Sequence, residues 1–395
     1  MERTLFLKNH PLVTFSSKAD GSFAIKKIHE ADFSLWPHLL QKNHTAPYLK
    51  EWLTKRVSPV GRKLLQKIKE ASKLEGLIGQ VALTKGLSLN DNFWIGRESE
   101  RFEDVNLYKN SFSEEIAELA FSPTSRKIIA LASRSPEYAS DGAMRKCWIR
   151  RDETIYLMKA DDWPNQGNYN QVFAEYFASQ LAKAFGIEAV PYFLESRINR
   201  KGQEEIVCLC PIFTSIEKSF LSAKDYFLYH GLKESDLLPS WLENAIYHEN
   251  LVKYYSREIY EDMMVFDVII GNQDRHLNNF GYFFDGTNCK ILSPAPLFDH
   301  GFSLLAGVIT REDLTLEECL LEANRGAFLD FSTQLKYFLK ARHYPKLKKL
   351  ADFAIQQHPV YKISEQSFEK IQLYLTFWLK KALYQAERLL AKADA

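Results

Sequence analysis

The tightest constraint on how this chain can fold lies between residues 263 and 301. Residues 263–270 (Met-Met-Val-Phe-Asp-Val-Ile-Ile) are apolar except for Asp267. The run is far shorter than the ~20 residues that cross a bilayer, so it reads as a helix of a protein core. It passes directly into Gly271-Asn272-Gln273-Asp274-Arg275-His276-Leu277-Asn278-Asn279-Phe280-Gly281, and a second polar turn, Leu297-Phe298-Asp299-His300-Gly301, follows. A fold that accommodates this stretch must bring a buried helix to a dense polar loop and return the chain beside it. A capped turn with solvated side chains explains one Asp. It does not explain Asp274, His276, Asn279, Asp299 and Gly301 in this order.

An Asp, then an Asn, then an Asp-x-Gly beyond a short hairpin is the polar constellation of a phosphoryl-transfer site. Such transfer asks the protein for positioning and charge neutralisation more than for covalent chemistry. In that reading Asp274 orients an acceptor hydroxyl and takes its proton. Asn279 and Asp299 offer hard oxygens to a magnesium ion carrying ATP phosphates. His276 braces the loop or neutralises charge. Lys159 lies in Ile155-Tyr156-Leu157-Met158-Lys159-Ala160, flanked by apolar strand residues, where it faces a cleft and holds phosphate oxygens; Glu175, in the next helical segment, is its expected ion-pair partner. Taken alone, a Lys on such a strand is more often a surface side chain, and it is the downstream motif that inverts this. Ser140-Asp141-Gly142-Ala143-Met144-Arg145-Lys146 precedes the first of these strands, and a turn there presents backbone N–H groups to phosphates. With one glycine it is no Walker A, and an ordinary β-turn explains it equally well.

The surrounding pattern is α+β. Short alternating runs at 4–7, 12–15 and 23–25, the last two separated by Asp20-Gly21, read as strands and a hairpin. Residues 30–73 read as helical, broken at Pro47 and Pro59, and residues 87–95 as a turn and a strand. The Ser- and Pro-containing stretch 112–140 is the expected junction. Residues 146–151 and 154–160 then read as strands around Arg151-Asp152-Glu153. Residues 168–185 read as a helix closed by Gly186, and 192–198 and 205–213 as strands. Beyond that the chain reads as mainly helical, except near 280–300. A last helix, 365–391, carries Phe368, Ile371, Leu375, Leu379, Leu383 and Leu390 as its packing stripe. A length of 395 residues fits several units, expected at 1–125 (mixed α/β accessory domain), 126–215 (small β-rich lobe) and 216–395 (helical lobe).

Composition excludes more than it suggests. A net charge of +1 gives no global pull toward nucleic acid or acidic lipid, so direct nucleic-acid binding is not expected. Five scattered cysteines form no CxxC pair and no metal spacing with His, which suits reduced thiols in a cytoplasmic setting. The start of the chain lacks the basic-then-apolar pattern of a signal peptide.

These motifs resemble the HipA-like serine/threonine kinases, a bacterial family. Gly142-Ala143-Met144-Arg145-Lys146 resembles the family's phosphate loop. Glu175-Tyr176-Phe177 through Gly186-Ile187 resembles its N-lobe helix, and Gly271-Asn272-Gln273-Asp274-Arg275-His276 with Asn279-Phe280 its catalytic loop. The likeness covers residues 130–330. It implies an atypical bilobal protein-kinase-like fold, with residues 1–125 as an α+β extension that carries no family motif and does not read as a compact β-rich subdomain. It further implies ATP and Mg2+ as cofactors and a protein substrate. Asp274, His276 and Asn279 would form the catalytic loop and Asn279 and Asp299 the metal ligands. Asp141, Gly142, Ala143, Lys146, Lys159, Glu175 and Asp299 would bind nucleotide, with a hinge over Cys210 to Ile212. Regulatory autophosphorylation at Ser135 or Ser140 and a regulatory, antitoxin-like partner belong to the same implication. Asp274-Arg275-His276 with Asp299-His300-Gly301 also resembles the phosphoinositide 3- and 4-kinases. A lipid or small-molecule kinase is therefore an alternative, and a nucleotide-binding pseudokinase acting as an interaction module is another.

Overall fold

A computed structural model of the chain describes residues 2–17, 22–57, 84–112, 145–161, 170–198, 202–232, 251–253, 255–307 and 313–393. The expected hairpin turn at Asp20-Gly21, Pro59, most of the 112–140 junction, Ser135, Ser140, Asp141, Gly142 and Ala143 lie outside these residues. In chain order the strands are β1 (Glu2–Leu7), β2 (His10–Ser17), β3 (Phe23–Ile28), β4 (Phe93–Gly96), β5 (Arg145–Arg151), β6 (Thr154–Ala160), β7 (Phe193–Ile198), β8 (Glu204–Pro211), β9 (Lys218–Ser222), β10 (Gly281–Asp285) and β11 (Ile291–Pro294). The helices are α1 (His38–Gln41), α2 (Ala46–Val57), α3 (Phe102–Val105), α4 (Gln171–Phe185), α5 (Ala223–Tyr229), α6 (Arg257–Ile270), α7 (Leu316–Glu322), α8 (Phe331–Phe338), α9 (Tyr344–Ala351) and α10 (Glu365–Ala393). They fall into two compact units. The first comprises Met1–Met158, Ile212–Leu232 and Gly281–Ala295, and the second Lys159–Pro211, Lys233–Phe280 and Pro296–Ala395.

The first unit is built on an antiparallel sheet in the order β3-β2-β1-β4. Side chains alternate across a strand, and here both faces are covered. Leu5, Leu7, Phe93 and Ile95 pack with Trp36, Leu40 and Leu53 on one side. Phe6 and Trp94 pack with Leu87, Leu107 and Ile155 on the other. A second sheet, β11-β10-β9, belongs to the same unit. Buried Asn92 joins the two sheets' neighbourhoods, its Nδ2 donating to Ile216 O at 2.7 Å and Gly286 O at 2.9 Å.

The second unit centres on α6, which is buried on nearly every side: Met263, Val265, Phe266, Val268, Ile269 and Ile270 have no exposed surface. Helices buried all round carry apolar residues all round, which is why residues 263–270 lack an amphipathic period. Helix α4 lies against the β7–β8 hairpin, whose register pairs Leu194 with Cys208 and Ser196 with Ile206. Helix α9 packs on both α4 and α10.

Several expectations are corrected. Pro47 does not break a helix: it is the second residue of α2, in the first turn, where proline's missing N–H has no helical partner to lose. The stretch after residue 213, expected to be mainly helical, also holds a strand: Lys218–Ser222 is β9, an edge partner of β10. The N-terminal residues do form a compact sheet. On α10 the most buried residues are Ile371, Tyr374, Trp378, Ala382 and Ala386, while Phe368, Leu379, Leu383 and Leu390 are half-buried. None of the five cysteines is in a disulfide, and all are buried. No described helix is long and apolar enough to cross a membrane.

Two measurements check this account. Asn92→Ala removes the donor to the buried Gly286 carbonyl and the part-buried Ile216 carbonyl and is expected to cost about 1–3 kcal/mol in urea unfolding. Asp262 on α6 has Arg342 and Lys346 as ion-pair partners and His343 Nε2 at 3.0 Å. Burial would raise its carboxyl, but hydrogen bonds from His343, Lys346 and Arg342 outweigh burial and hold it well below the usual range. A depressed carboxyl stabilises above its unfolded value and loses that contribution as pH falls. The stability gap between wild type and Asp262→Asn is therefore expected to be full at about pH 7 and to shrink below about pH 4.

Candidate active site

Lys159, Glu175, Asp267, Asp274, Arg275, Asn279, Asp299 and His300 all belong to the second unit. Helix α6 ends at Gly271, which takes a left-handed φ of 66°. A side chain there would also collide with the Tyr374 ring, so glycine meets both demands. The chain then folds back on the helix. Asn272 N donates to Asp267 O (2.8 Å) and its Nδ2 to Asp267 Oδ1 (2.9 Å), while its Oδ1 accepts from Asp274 N (3.0 Å). Asn279 Nδ2 donates to Asp274 O at 2.9 Å and closes the loop.

Arg275 holds this loop from inside. The side chain is buried, and each of its five N–H groups reaches an acceptor. Nε donates to Asp267 Oδ2 (3.0 Å). Nη2 donates to Asp267 Oδ1 (3.1 Å) and His300 Nδ1 (2.9 Å). Nη1 donates to Asn279 O (2.8 Å) and Phe298 O (2.7 Å). Burial raises the Asp267 carboxyl, and the Arg275 charge opposes it. His300 is driven well below the usual histidine value, first by burial and then by the Arg275 charge. It is neutral, and because Nδ1 accepts from Arg275 its proton sits on Nε2.

The second cluster is one ammonium between two carboxylates. Lys159 Nζ lies 2.6 Å from Glu175 Oε1 and 2.9 Å from Asp299 Oδ1. Lys159 is only 3% exposed and Glu175 not at all. Burial by itself would lower the ammonium, but Asp299 and Glu175 together raise it well above the ordinary lysine value, so it stays charged. Burial pushes Glu175 up, opposed by Lys159. Asp161 Oδ1, just past β6, accepts from Gln171 N (2.8 Å) and Val172 N (3.3 Å), so the strand that bears Lys159 also caps the helix that bears Glu175. The clusters join at the Asp-His-Gly turn: Glu175 Oε2 accepts from His300 N at 2.7 Å.

Asp274 and His276 are both partly exposed, 3.8 Å apart. Burial is the main cause that raises the Asp274 carboxyl; the His276 side chain opposes it and the Asp299 charge adds to it. Asn279 and Asp299 bring amide and carboxylate oxygens, the donor chemistry magnesium takes, usually alongside water and substrate phosphate. Asp274, His276, Asn279, Lys159, Glu175 and Asp299 are thus brought into one connected site. Cys210 is buried on β8. Lys146, on β5, and Ile212, whose N–H donates to Ile155 O at 2.9 Å, belong to the first unit. Sequence reasoning gave no role to Arg275, Asp267, Tyr192 or His300. The signal for one pair was present: Asp267 is a charge inside an otherwise apolar helix and requires a buried counter-ion.

The Asp267–Arg275 pair yields a test. Arg275→Met leaves a buried carboxylate unpaired and is expected to cost about 3–5 kcal/mol. In the double variant Asp267→Leu/Arg275→Met part of that loss returns, short of full recovery because the Asn279 and Phe298 carbonyls stay unpaired. A double-mutant cycle by urea unfolding reads the coupling.

No family model matches the chain. A curated Helicobacter pylori protein (strain J99), described as serine/threonine-protein kinase CtkA, is 29% identical over 158 residues, 38% of this chain and 47% of that protein. The chain therefore spans about half the length of the curated relative it matches. The crystal structure of the H. pylori proinflammatory kinase CtkA is 17% identical with a TM-score of 0.47, over 63% of this chain and 94% of that one. A chain from the Shewanella oneidensis MR-1 toxin–antitoxin complex of HipA, HipB and operator DNA is 13% identical with a TM-score of 0.52, over 98% of this chain and 97% of that one. That match covers nearly the whole chain, where the resemblance in sequence stopped at residues 130–330. The Shewanella match shows a shared fold, and the H. pylori kinase is similar in sequence over 158 residues of this chain.

Proposed function

We propose that this chain is a HipA-like kinase that transfers the γ-phosphate of ATP to serine or threonine of a protein. The observation that carries the reading is the buried Lys159 ammonium held by Glu175 and Asp299 and tied through His300 and Arg275 to the loop bearing Asp274 and Asn279. A charge constellation preset in a buried network is what phosphoryl transfer draws on most.

Each residue's part follows from its surroundings. Asp274 is exposed enough to meet an incoming hydroxyl and accepts its proton. Lys159 is kept charged, and ATP phosphates compete with Asp299 for it. Glu175 holds the ammonium in place when Asp299 turns to other ligands. Asn279 and Asp299 would hold magnesium, which when bound neutralises charge on the phosphates. Within the same proposal, Asp141, Gly142, Ala143 and Lys146 form the phosphate loop, Cys210 to Ile212 the adenine hinge, and Ser135 or Ser140 the site of regulatory autophosphorylation.

The test is transfer of radiolabelled γ-phosphate by the full chain with magnesium, followed by phosphosite mapping. Asp274→Ala and Asp299→Ala are each expected to lower transfer by at least about 100-fold. Undiminished transfer in Asp274→Ala overturns the assignment. Because Asp274 must be ionised to act as base and its carboxyl is raised, the acid limb of kcat/KM is expected above the ordinary aspartate value of about 3.9. ATP consumption with no labelled protein would move the acceptor to a lipid or small-molecule hydroxyl.

A further inference from the structure

The Asp299 turn is held from three sides by three different side chains. Arg275 Nη1 donates to Phe298 O (2.7 Å), Glu175 Oε2 accepts from His300 N (2.7 Å), and the Tyr192 hydroxyl accepts from Asp299 N (3.2 Å). Asp299 itself has φ of 60°, a left-handed conformation that an L side chain adopts under strain. Its backbone needs an outside hold, and Tyr192 is the one that reaches its N–H.

Tyr192 is built for that task. It is 3% exposed, and its hydroxyl also lies 3.3 Å from Lys159 Nζ. Its third neighbour is Cys210, whose thiol is hydrogen-bonded with it. The approach is set by backbone. Leu297 N donates to Glu188 O (2.9 Å) and Val190 N to Leu297 O (2.8 Å), a short parallel bridge that runs the segment before β7 beside the segment before Asp299.

We infer that Tyr192 is a positioning residue for Asp299: its hydroxyl holds the strained Asp299 peptide and thereby the carboxylate that faces Lys159 and, under the kinase reading on which this rests, the metal-bound nucleotide. Tyr192 touches no reacting atom and acts through Asp299. A phenylalanine keeps the ring and its packing but removes the acceptor for the Asp299 N–H, together with the hydroxyl's contacts to Lys159 Nζ and the Cys210 thiol.

The experiment compares the full chain with Tyr192→Phe in two ways. Hydrogen exchange followed by mass spectrometry reads the peptide spanning residues 298–301. Calorimetry reads ATP affinity with and without magnesium. With an unchanged melting temperature, Tyr192→Phe is expected to speed exchange at that turn about tenfold and to cut the magnesium-dependent gain in ATP affinity about tenfold, with the magnesium-free affinity unaltered. Exchange at the turn equal to wild type, or a magnesium-dependent gain that survives, overturns the inference. If the wild type neither binds ATP nor transfers phosphate, the kinase reading fails by itself, and exchange at residues 298–301 still decides whether Tyr192 holds the turn.

Discussion

The Arg275 guanidinium is the interaction on which the rest of the site depends. A carboxylate in the buried C-terminal half of a helix is tolerated only when a counter-charge is buried beside it and the remaining donors are satisfied. Arg275 meets that demand for Asp267, then uses the rest of its fixed fork on the Asn279 and Phe298 carbonyls and on His300. Only a planar group with five donors reaches a helix, a loop and a turn at once. The charge pair that solvates Asp267 thus also helps to hold the backbone at Asn279 and just before Asp299.

The Lys159 cluster works on the same principle with the opposite sign in excess. Two carboxylates share one ammonium, and Asp299 is the less buried of them. Glu175 anchors the pair from α4 and also accepts from the His300 peptide, so the strand, the helix and the Asp-His-Gly turn register against one another through single atoms. Electrostatics arranged in advance, with no side chain having to find its place at the moment of reaction, is the physical basis on which phosphoryl transfer is proposed.

Much of this was readable in the chain. Core helix α6 followed from an apolar run, its end from Gly271, the strands β5 and β6 from alternation around Asp152, and the end of α4 from Gly186. Local chemistry decides such features: backbone conformations only glycine tolerates, and apolar periodicity. What stayed hidden depended on distant partners. Lys218–Ser222 is an edge strand whose pairing partner, β10, is supplied by a segment some sixty residues on in sequence order. Pro47 sits in a helix because the helix begins beside it, a boundary that Pro alone leaves undecided.

By itself the sequence determined which chemistry is available: Asp274, Asn279 and Asp299 in order around a hairpin, a strand Lys with a helical Glu, and an Asp isolated among apolar residues. Residue type and spacing carry that information because acids, amides and ammonium groups have intrinsic properties. Only the tertiary structure decided which of these groups meet. Lys159 and Asp299 are far apart in the chain and 2.9 Å apart in space, and Arg275 and Tyr192 became connectors of the Asp299 turn solely through where the backbone brought them. Burial then set their charge states, raising Asp274 and neutralising His300, because the cost of desolvating a charge exists only once the surrounding fold has removed the water.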